Sequence, residues 1–182
     1  MLSRIIELLR THGRACALGL ALAALANGLT AVVLAATLNL DACHLCIFQR
    51  LIFFMISAVL FIAAAGWKSP SVRNASLTAG GALSVWGMAV AAQQNWLQWY
   101  PQSGLSCDLA EISFTERLID WLGGLFPAFF MATGACESKD LVIFWLSLAN
   151  WSFLILFGFL IACLALLMIH IKGRPIRSGD LD

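Results

Sequence analysis

The sequence predicts an all-α membrane protein in which four long helices form a transmembrane bundle, with a short interfacial helix in its second external loop. Hydrophobic residues make up 61% of the 182 residues, charged residues make up 12%, and the mean hydropathy is +0.87. Four uncharged runs approach or exceed the length of about 20 apolar residues that a bilayer core requires. Such runs are expected to be helical, because lipid offers no hydrogen-bonding partner to an exposed backbone. This composition excludes an ordinary soluble domain.

The expected helices cover about residues 15–39, 47–67, 75–99 and 141–171, with external loops at about 40–46 and 100–140, in a single membrane domain spanning 1–182. The first helix is rich in Ala and Gly, small residues that let membrane helices pack closely. A polar turn at Pro70 separates the second helix from the third. Cys16 and Cys163 fall within the first and fourth helices and are expected to behave as small buried apolar side chains.

The distribution of charge predicts the orientation. Most basic residues lie at the two termini and in the loop between the second and third helices, whereas most acidic residues lie in the other two loops. The positive-inside rule therefore places both termini in the cytoplasm and those other two loops outside. The first apolar run is too long for a signal peptide and lacks a convincing cleavage site, so it is expected to be retained. The lipid bilayer is the expected surrounding partner, and no nucleic acid is expected to bind.

Two cysteine pairs fall in the external loops. Cys43 and Cys46 form a Cys-x-x-Cys unit in the first loop, and Cys107 and Cys136 lie in the long second loop. Both pairs face the compartment in which disulfides persist, where they can be redox-active or can act as static staples. A disulfide between Cys43 and Cys46 would enclose too few residues to stabilise the fold much through loop entropy, which favours a redox role.

A cation is expected one helical turn from the first cysteine pair. If the second helix begins near Cys46, Arg50 lies on the same face. An arginine at this depth is either functional or a membrane anchor that extends its guanidinium to the headgroups. Beside Cys46, a fixed cation could polarise a carbonyl oxygen or stabilise a developing anion. His44 lies inside the pair, so the order is not the Cys-x-x-Cys-His of covalent haem attachment, and no metal site is expected.

The second external loop contains a predicted amphipathic helix. Ser113 and Glu116 match the capping box that opens many helices. The apolar residues that follow share one face: Phe114, Leu118, Trp121, Leu122 and Leu125. The segment is too short to span a bilayer, so it is expected to lie flat on the membrane surface. The alternative is a helix that packs on other residues of the loop.

Four motifs together suggest a family: Cys-x-x-Cys-Ile-aromatic-x-Arg at residues 43–50, Leu-Gln-x-Tyr-Pro at 97–101, Cys-Asp at 107–108 and small-Gly-x-Cys at 133–136. With four predicted helices and both termini inside, the chain resembles the DsbB-type disulfide bond formation proteins of bacterial inner membranes over nearly its whole length. The resemblance implies a thiol:quinone oxidoreductase in which the Cys107–Cys136 disulfide oxidises a periplasmic DsbA-like thioredoxin-fold protein. It also implies that Cys43 and Cys46 reduce a membrane quinone, ubiquinone or menaquinone, with Cys46 as the thiolate against the ring and Arg50 near a carbonyl.

Two positions depart from the pattern of that family. The family often has an acid before the arginine, where this chain has Gln49, and some members have a histidine late in the third helix, where this chain has Gln94. One alternative is a vitamin K epoxide reductase-like enzyme, also a four-helix quinone-linked protein, which usually carries its Cys-x-x-Cys toward the last helix. The other alternative is a non-enzymatic membrane scaffold with structural external disulfides.

Overall fold

The structure is a computed structural model that describes residues 7, 11–38, 43–100, 114–125, 142–143 and 145–172. Its elements in chain order are helices α1 (Gly13–Leu38), α2 (His44–Ala65), α3 (Pro70–Trp99) and α4 (Phe114–Leu125), strands β1 (Val142–Ile143) and β2 (Leu146–Ser147), and helix α5 (Leu148–Lys172). Four of these helices, α1, α2, α3 and α5, are long and apolar enough to cross a membrane. The predicted class, an all-α protein with four spanning helices, is confirmed.

Helix α2 is the central element of the bundle. It packs against both α1 and α3, and α3 in turn packs against α5. Its buried side chains recur at helical spacing, as Ile52, Ile56 and Leu60 illustrate, and they contribute to the main apolar core. Cys163 of α5 is buried in the same core and Cys16 packs against it, as expected for small apolar side chains.

Small residues on α1 let α2 approach closely. Ala17, Ala21 and Ala24 are fully buried. A Cβ atom added to Gly28 would lie 2.7 Å from Cε1 of Phe54, so the absence of a side chain at Gly28 leaves room for that ring. The hydroxyl of Ser57 on α2 also donates a hydrogen bond to the carbonyl oxygen of Ala21, at 2.9 Å. The first helix is therefore a packing helix, as its composition predicted.

Two helices begin earlier than the sequence predicted. Helix α2 begins at His44 rather than near residue 47, because Cys43 has an extended backbone and caps the helix, its sulfur accepting a hydrogen bond from the N–H of Cys46. Cys46 therefore belongs to the first turn of α2 and not to a loop. Helix α3 begins at Pro70 rather than near residue 75. Proline is favoured at this first position, where its missing N–H would have had no helical partner.

The fourth spanning helix begins later than predicted, because a small antiparallel hairpin precedes it. Backbone pairing joins Val142 to Ser147 and Ile143 to Leu146. Trp145, in the turn, has a φ of 67° and a side chain that is 98% exposed. The hydroxyl of Ser147 donates to Oδ1 of Asn95 at 3.3 Å and accepts from Nδ2 of Asn150 at 3.2 Å, which connects the hairpin to α3 and α5. Short apolar runs fit a strand as well as a helix, so periodicity alone did not separate them.

Helix α4 packs on the bundle through a face centred on Ile119. This side chain is fully buried in the main core, and Leu118 and Leu122 pack against that core. Trp121 and Leu125 are more than half exposed. The predicted helix is present and it contacts α2. The predicted apolar face omitted Ile119, whereas the face that packs on the bundle is built around it; contact of α4 with lipid stays a prediction.

Candidate functional site

A pair of cysteines lies at the start of α2. Cys43 is the N-cap residue and Cys46 lies in the first turn. Their sulfur atoms are 3.2 Å apart. A disulfide bond measures about 2.05 Å, so the two sulfurs are close enough to join with little movement. This geometry suits a pair that closes and reopens.

The hydrogen bonds around the pair distinguish the two sulfurs. Sγ of Cys46 accepts a hydrogen bond from the S–H of Cys43 at 3.2 Å and another from Nε2 of Gln94 at 2.8 Å. Cys43 is 2% exposed, packs against Leu97 and lies farther from Gln94, at 3.8 Å. Cys43 also accepts a hydrogen bond from the backbone N–H of Cys46, at 3.4 Å. Shorter hydrogen bonds favour a negative charge on the acceptor more strongly, and the shorter ones here end at Cys46. Cys46 is therefore the better placed of the two to be the thiolate.

Arg50 lies one turn along α2 from Cys46, as the spacing predicted. It is close enough to interact electrostatically with both Cys46 and Cys43. Arg50 and Cys46 also line the same cavity, which has a volume of about 80 Å³. The structure thus brings three of the predicted site residues, Cys43, Cys46 and Arg50, into one place.

All four spanning helices contribute to the wall of this cavity. The lining residues are Ala31, Leu34 and Ala35 of α1, Cys46, Gln49, Arg50 and Phe53 of α2, Gln94 of α3, and Leu148, Ala149 and Ser152 of α5. The thiol, the cation and the two amides come from α2 and α3, whereas α1 and α5 supply mainly apolar side chains. A larger depression of about 460 Å³ between α3 and α5 has no cysteine among its lining residues, so of these two cavities the smaller one adjoins the cysteine pair.

Sequence reasoning did not find the contact between Gln49 and Gln94. Both side chains are almost fully buried, at 4% and 3% exposure, and Nε2 of Gln49 donates to Oε1 of Gln94 at 2.8 Å. In the sequence the two residues were only departures from a family pattern. Polar side chains inside membrane helices are costly and are commonly functional, so this signal was available in the sequence at both positions. Because the two residues are far apart in the sequence, no local spacing indicated that they meet beside Cys46.

His44 connects the cysteine pair to α4. Its Nε2 atom lies 3.1 Å from Oδ1 of Asp120, and the two side chains are 31% and 64% exposed. The contact joins α4 to the first turn of α2, where Cys46 lies. Cys107 and Cys136, the other two predicted redox residues, lie outside the described residues, so their pairing and their roles stay predictions.

The fold and the site define a class, a multi-pass membrane protein with a Cys-x-x-Cys pair at the start of one spanning helix. Comparison with known proteins agrees with that class, since the family model for "Disulfide bond formation protein DsbB" matches residues 13–166. The chain belongs to this family of disulfide-forming oxidoreductases. The vitamin K epoxide reductase-like alternative is not the family that it matches.

Individual relatives carry the same description. Disulfide bond formation protein B of Dechloromonas aromatica (strain RCB) is 42% identical over 149 residues, which cover 81% of this chain and 87% of that protein. The protein of that name from Verminephrobacter eiseniae (strain EF01-2) is 33% identical over 174 residues, with 93% and 91% covered. The one from Escherichia coli O6:K15:H31 (strain 536 / UPEC) is 28% identical over 174 residues, with 94% and 93% covered.

Proposed function

We propose that the protein is a thiol:quinone oxidoreductase that reoxidises a periplasmic DsbA-like dithiol protein. One observation carries this proposal: Cys46, whose sulfur lies within bonding reach of Cys43, lines a cavity between membrane helices together with a cation, Arg50. Membership in a disulfide bond formation family supports the direction of the reaction. A static scaffold would have no need for a cation beside a buried thiol, because placing a charge at that depth is costly.

The proposed reaction transfers two electrons and two protons at each of three steps. The partner's dithiol becomes a disulfide while the disulfide between Cys107 and Cys136 becomes two thiols. That dithiol then reduces the disulfide between Cys43 and Cys46 by thiolate attack and exchange. Finally, Cys43 and Cys46 close their S–S bond again as the quinone becomes a quinol. No oxidant other than the quinone is required.

The chemistry of the cavity lining suits the head group of a quinone. The apolar residues of α1 and α5 suit the face of the ring, and the N–H groups of Arg50 suit a carbonyl oxygen. The quinone supplies a two-electron acceptor that is dissolved in the lipid. Ligand pockets usually exceed about 300 Å³, so entry of a substituted ring requires the side chains of the smaller cavity to move apart. Neither ubiquinone nor menaquinone is favoured by this lining.

The proposed location is the bacterial inner membrane, with both termini in the cytoplasm and the cysteines on the periplasmic side. The support is the bias of basic residues toward the termini and the loop between α2 and α3. The proposed partner has a thioredoxin fold, because a dithiol of that class presents one accessible thiolate for exchange. The four cysteines Cys43, Cys46, Cys107 and Cys136 then form one electron path.

The test uses the purified protein in detergent with a reduced thioredoxin-fold partner and a soluble quinone. We expect one quinone reduced per partner disulfide formed, and no turnover by Cys46→Ser or Cys107→Ser. Cys163→Ala is the matched control, since it removes a core cysteine and should retain turnover. Cys136→Ser should trap a mixed disulfide through Cys107. Partner oxidation by Cys46→Ser at the full rate, or the absence of quinone consumption by the unaltered protein, would overturn the proposal.

A further inference from the structure

The buried amide pair beside Cys46 has one hydrogen-bond direction in the structure. Nε2 of Gln49 donates to Oε1 of Gln94, so the carbonyl oxygen of Gln94 points away from the sulfur and its NH₂ group points toward it. An amide has a donor at one end and an acceptor at the other. If Gln94 turned over, it would present its oxygen to Cys46, and its NH₂ group would face the NH₂ group of Gln49. The contact with Gln49 opposes that turn.

The NH₂ group of Gln94 does not serve both cysteines equally. Its nitrogen lies 2.8 Å from Sγ of Cys46 and 3.8 Å from Sγ of Cys43. Hydrogen bonds to a charged atom are stronger than those to a neutral one, and burial increases the difference. The donor is therefore worth more when Cys46 is a thiolate than when it is a thiol.

We propose that Gln94 stabilises the thiolate of Cys46 by direct hydrogen bonding and that Gln49 is a positioning residue that keeps the donor end of Gln94 turned toward the sulfur. Neither amide titrates, so the donor is present at every pH at which the protein is folded. The importance of this role for turnover rests on the proposed function, in which Cys46 is the sulfur that reduces the quinone. The hydrogen bond itself does not depend on that function.

The other described groups near Cys46 act on it differently. Among the residues that line the cavity, Arg50 is the charged neighbour, and those from α1, α3 and α5 include no titratable side chain. Cys43 is the titratable neighbour on α2. His44 is directed to Asp120 on α4. Arg50 supplies charge to both sulfurs, whereas Gln94 supplies a short directed contact to one of them.

The experiment isolates Cys46 in the full chain. Cys16 and Cys163 are replaced by Ala, and Cys43, Cys107 and Cys136 by Ser; a serine at position 43 can still cap α2. The rate of alkylation of Cys46 by iodoacetamide is measured from about pH 6 to about pH 10.5, where the thiol ionises. Folding of each variant in detergent is checked by circular dichroism.

In this background, Gln94→Met removes the donor while roughly preserving the shape of the side chain. We expect alkylation near pH 7 to slow on the order of tenfold, the effect of losing a hydrogen bond to a charged group. Gln49→Met keeps the donor but not its direction, so it should slow alkylation by a smaller factor. Near pH 10.5 the rates of all variants should converge, because Cys46 is then largely ionised in each. Ser84→Ala is the matched control, since Ser84 is a buried polar residue of α3 that bonds within its own helix.

Each outcome decides the question. A rate for Gln94→Met within about twofold of the parent near pH 7 overturns the role of Gln94, because one charge-assisted hydrogen bond is worth more than that. If Gln94→Met still slows alkylation near pH 10.5, the substitution has changed the access of iodoacetamide to Cys46. That result also overturns the role of Gln94. An unchanged Gln49→Met overturns the positioning role. If the expected rates are found in a protein that does not reduce quinone, the proposed function fails and this inference stands.

Discussion

At the residue scale, variants of Arg50 distinguish two roles for its side chain: acting on the quinone or anchoring the helix in the membrane. Its position beside Cys46 in the cavity leads us to expect that it stabilises negative charge on the thiolate and on a quinone oxygen. Arg50→Ala should reduce quinone affinity or turnover on the order of tenfold to a hundredfold, for a loss of about 1.5–3 kcal/mol. The quinone affinity and turnover of Arg50→Lys should lie between those of the unaltered protein and those of Arg50→Ala, because Lys keeps the charge but not the planar guanidinium. The measurement is the quinone KM and kcat for both variants.

Membrane insertion of the Arg50 variants must be measured separately, by the fraction recovered in carbonate-washed membranes. An anchoring arginine would tolerate Lys fully, since either cation can reach the headgroups. If Arg50→Lys equals the unaltered protein and Arg50→Ala loses only insertion, Arg50 does not act on the quinone.

The residues of the site were predictable to different degrees. Cys46 and Arg50 are four positions apart, so helical geometry alone predicted that they share a face. Gln94 lies on a different helix from Cys46, and no local spacing rule reports a contact between two helices. Its position depends on how α2 and α3 pack, which is a property of the folded chain. A sequence pattern therefore found Cys46 and Arg50 on α2 and missed the contacts that Gln94 makes from α3.

At the element scale, the close contact between α1 and α2 depends on Gly28. In Gly28→Ala the new methyl group would collide with the ring of Phe54, so we expect a loss of stability of about 1–3 kcal/mol. Gly19→Ala, on the same helix, is the matched control because no atom lies within 4 Å of its new Cβ. That control should be neutral or slightly stabilising, since alanine favours helix. Thermal unfolding in detergent measures the stability of both variants. Equal unfolding midpoints for Gly28→Ala and Gly19→Ala would contradict the close contact between Gly28 and Phe54.

The contact between His44 and Asp120 should hold α4 against α2. Both side chains are partly exposed, so the pair is expected to contribute at most about 1 kcal/mol. Asp120→Ala should therefore speed hydrogen exchange at the amides of α4 relative to the control, by a factor of up to about five. Arg117→Ala removes a charge from an exposed position of the same helix and is the matched control. Identical exchange in the two variants would show that the contact does not fasten α4.

The starts of the helices were the elements least accessible from sequence. Cys43 caps α2 through its sulfur, a weaker capping group than the Ser, Thr, Asp or Asn that usually signals a helix start. The hairpin before α5 pairs very short strands whose apolar residues read equally well as the beginning of a helix. In both places the backbone conformation is set by a local interaction that hydrophobic periodicity does not record.

At the scale of the whole molecule, composition predicted the fold class because a lipid bilayer permits few backbone structures. A long apolar run in lipid must form a helix, so the existence of four spanning helices followed from their length. Their packing order did not follow, since each apolar face can contact either lipid or another helix at similar cost. Burial of Ile119 shows the same limit, because an amphipathic pattern does not state whether its apolar side meets lipid or protein.

The docking of α4 on α2 has a consequence for the proposed exchange between the two cysteine pairs. Cys107 precedes α4 and Cys136 follows it in the chain, and α4 packs beside α2, the helix that Cys43 caps. A short connection to a docked element limits the volume that a reactive group can search. Joined in this way, reacting groups meet at an effective concentration of about millimolar or more. Exchange between the two pairs would then be first order, with a rate independent of how densely the protein populates the membrane.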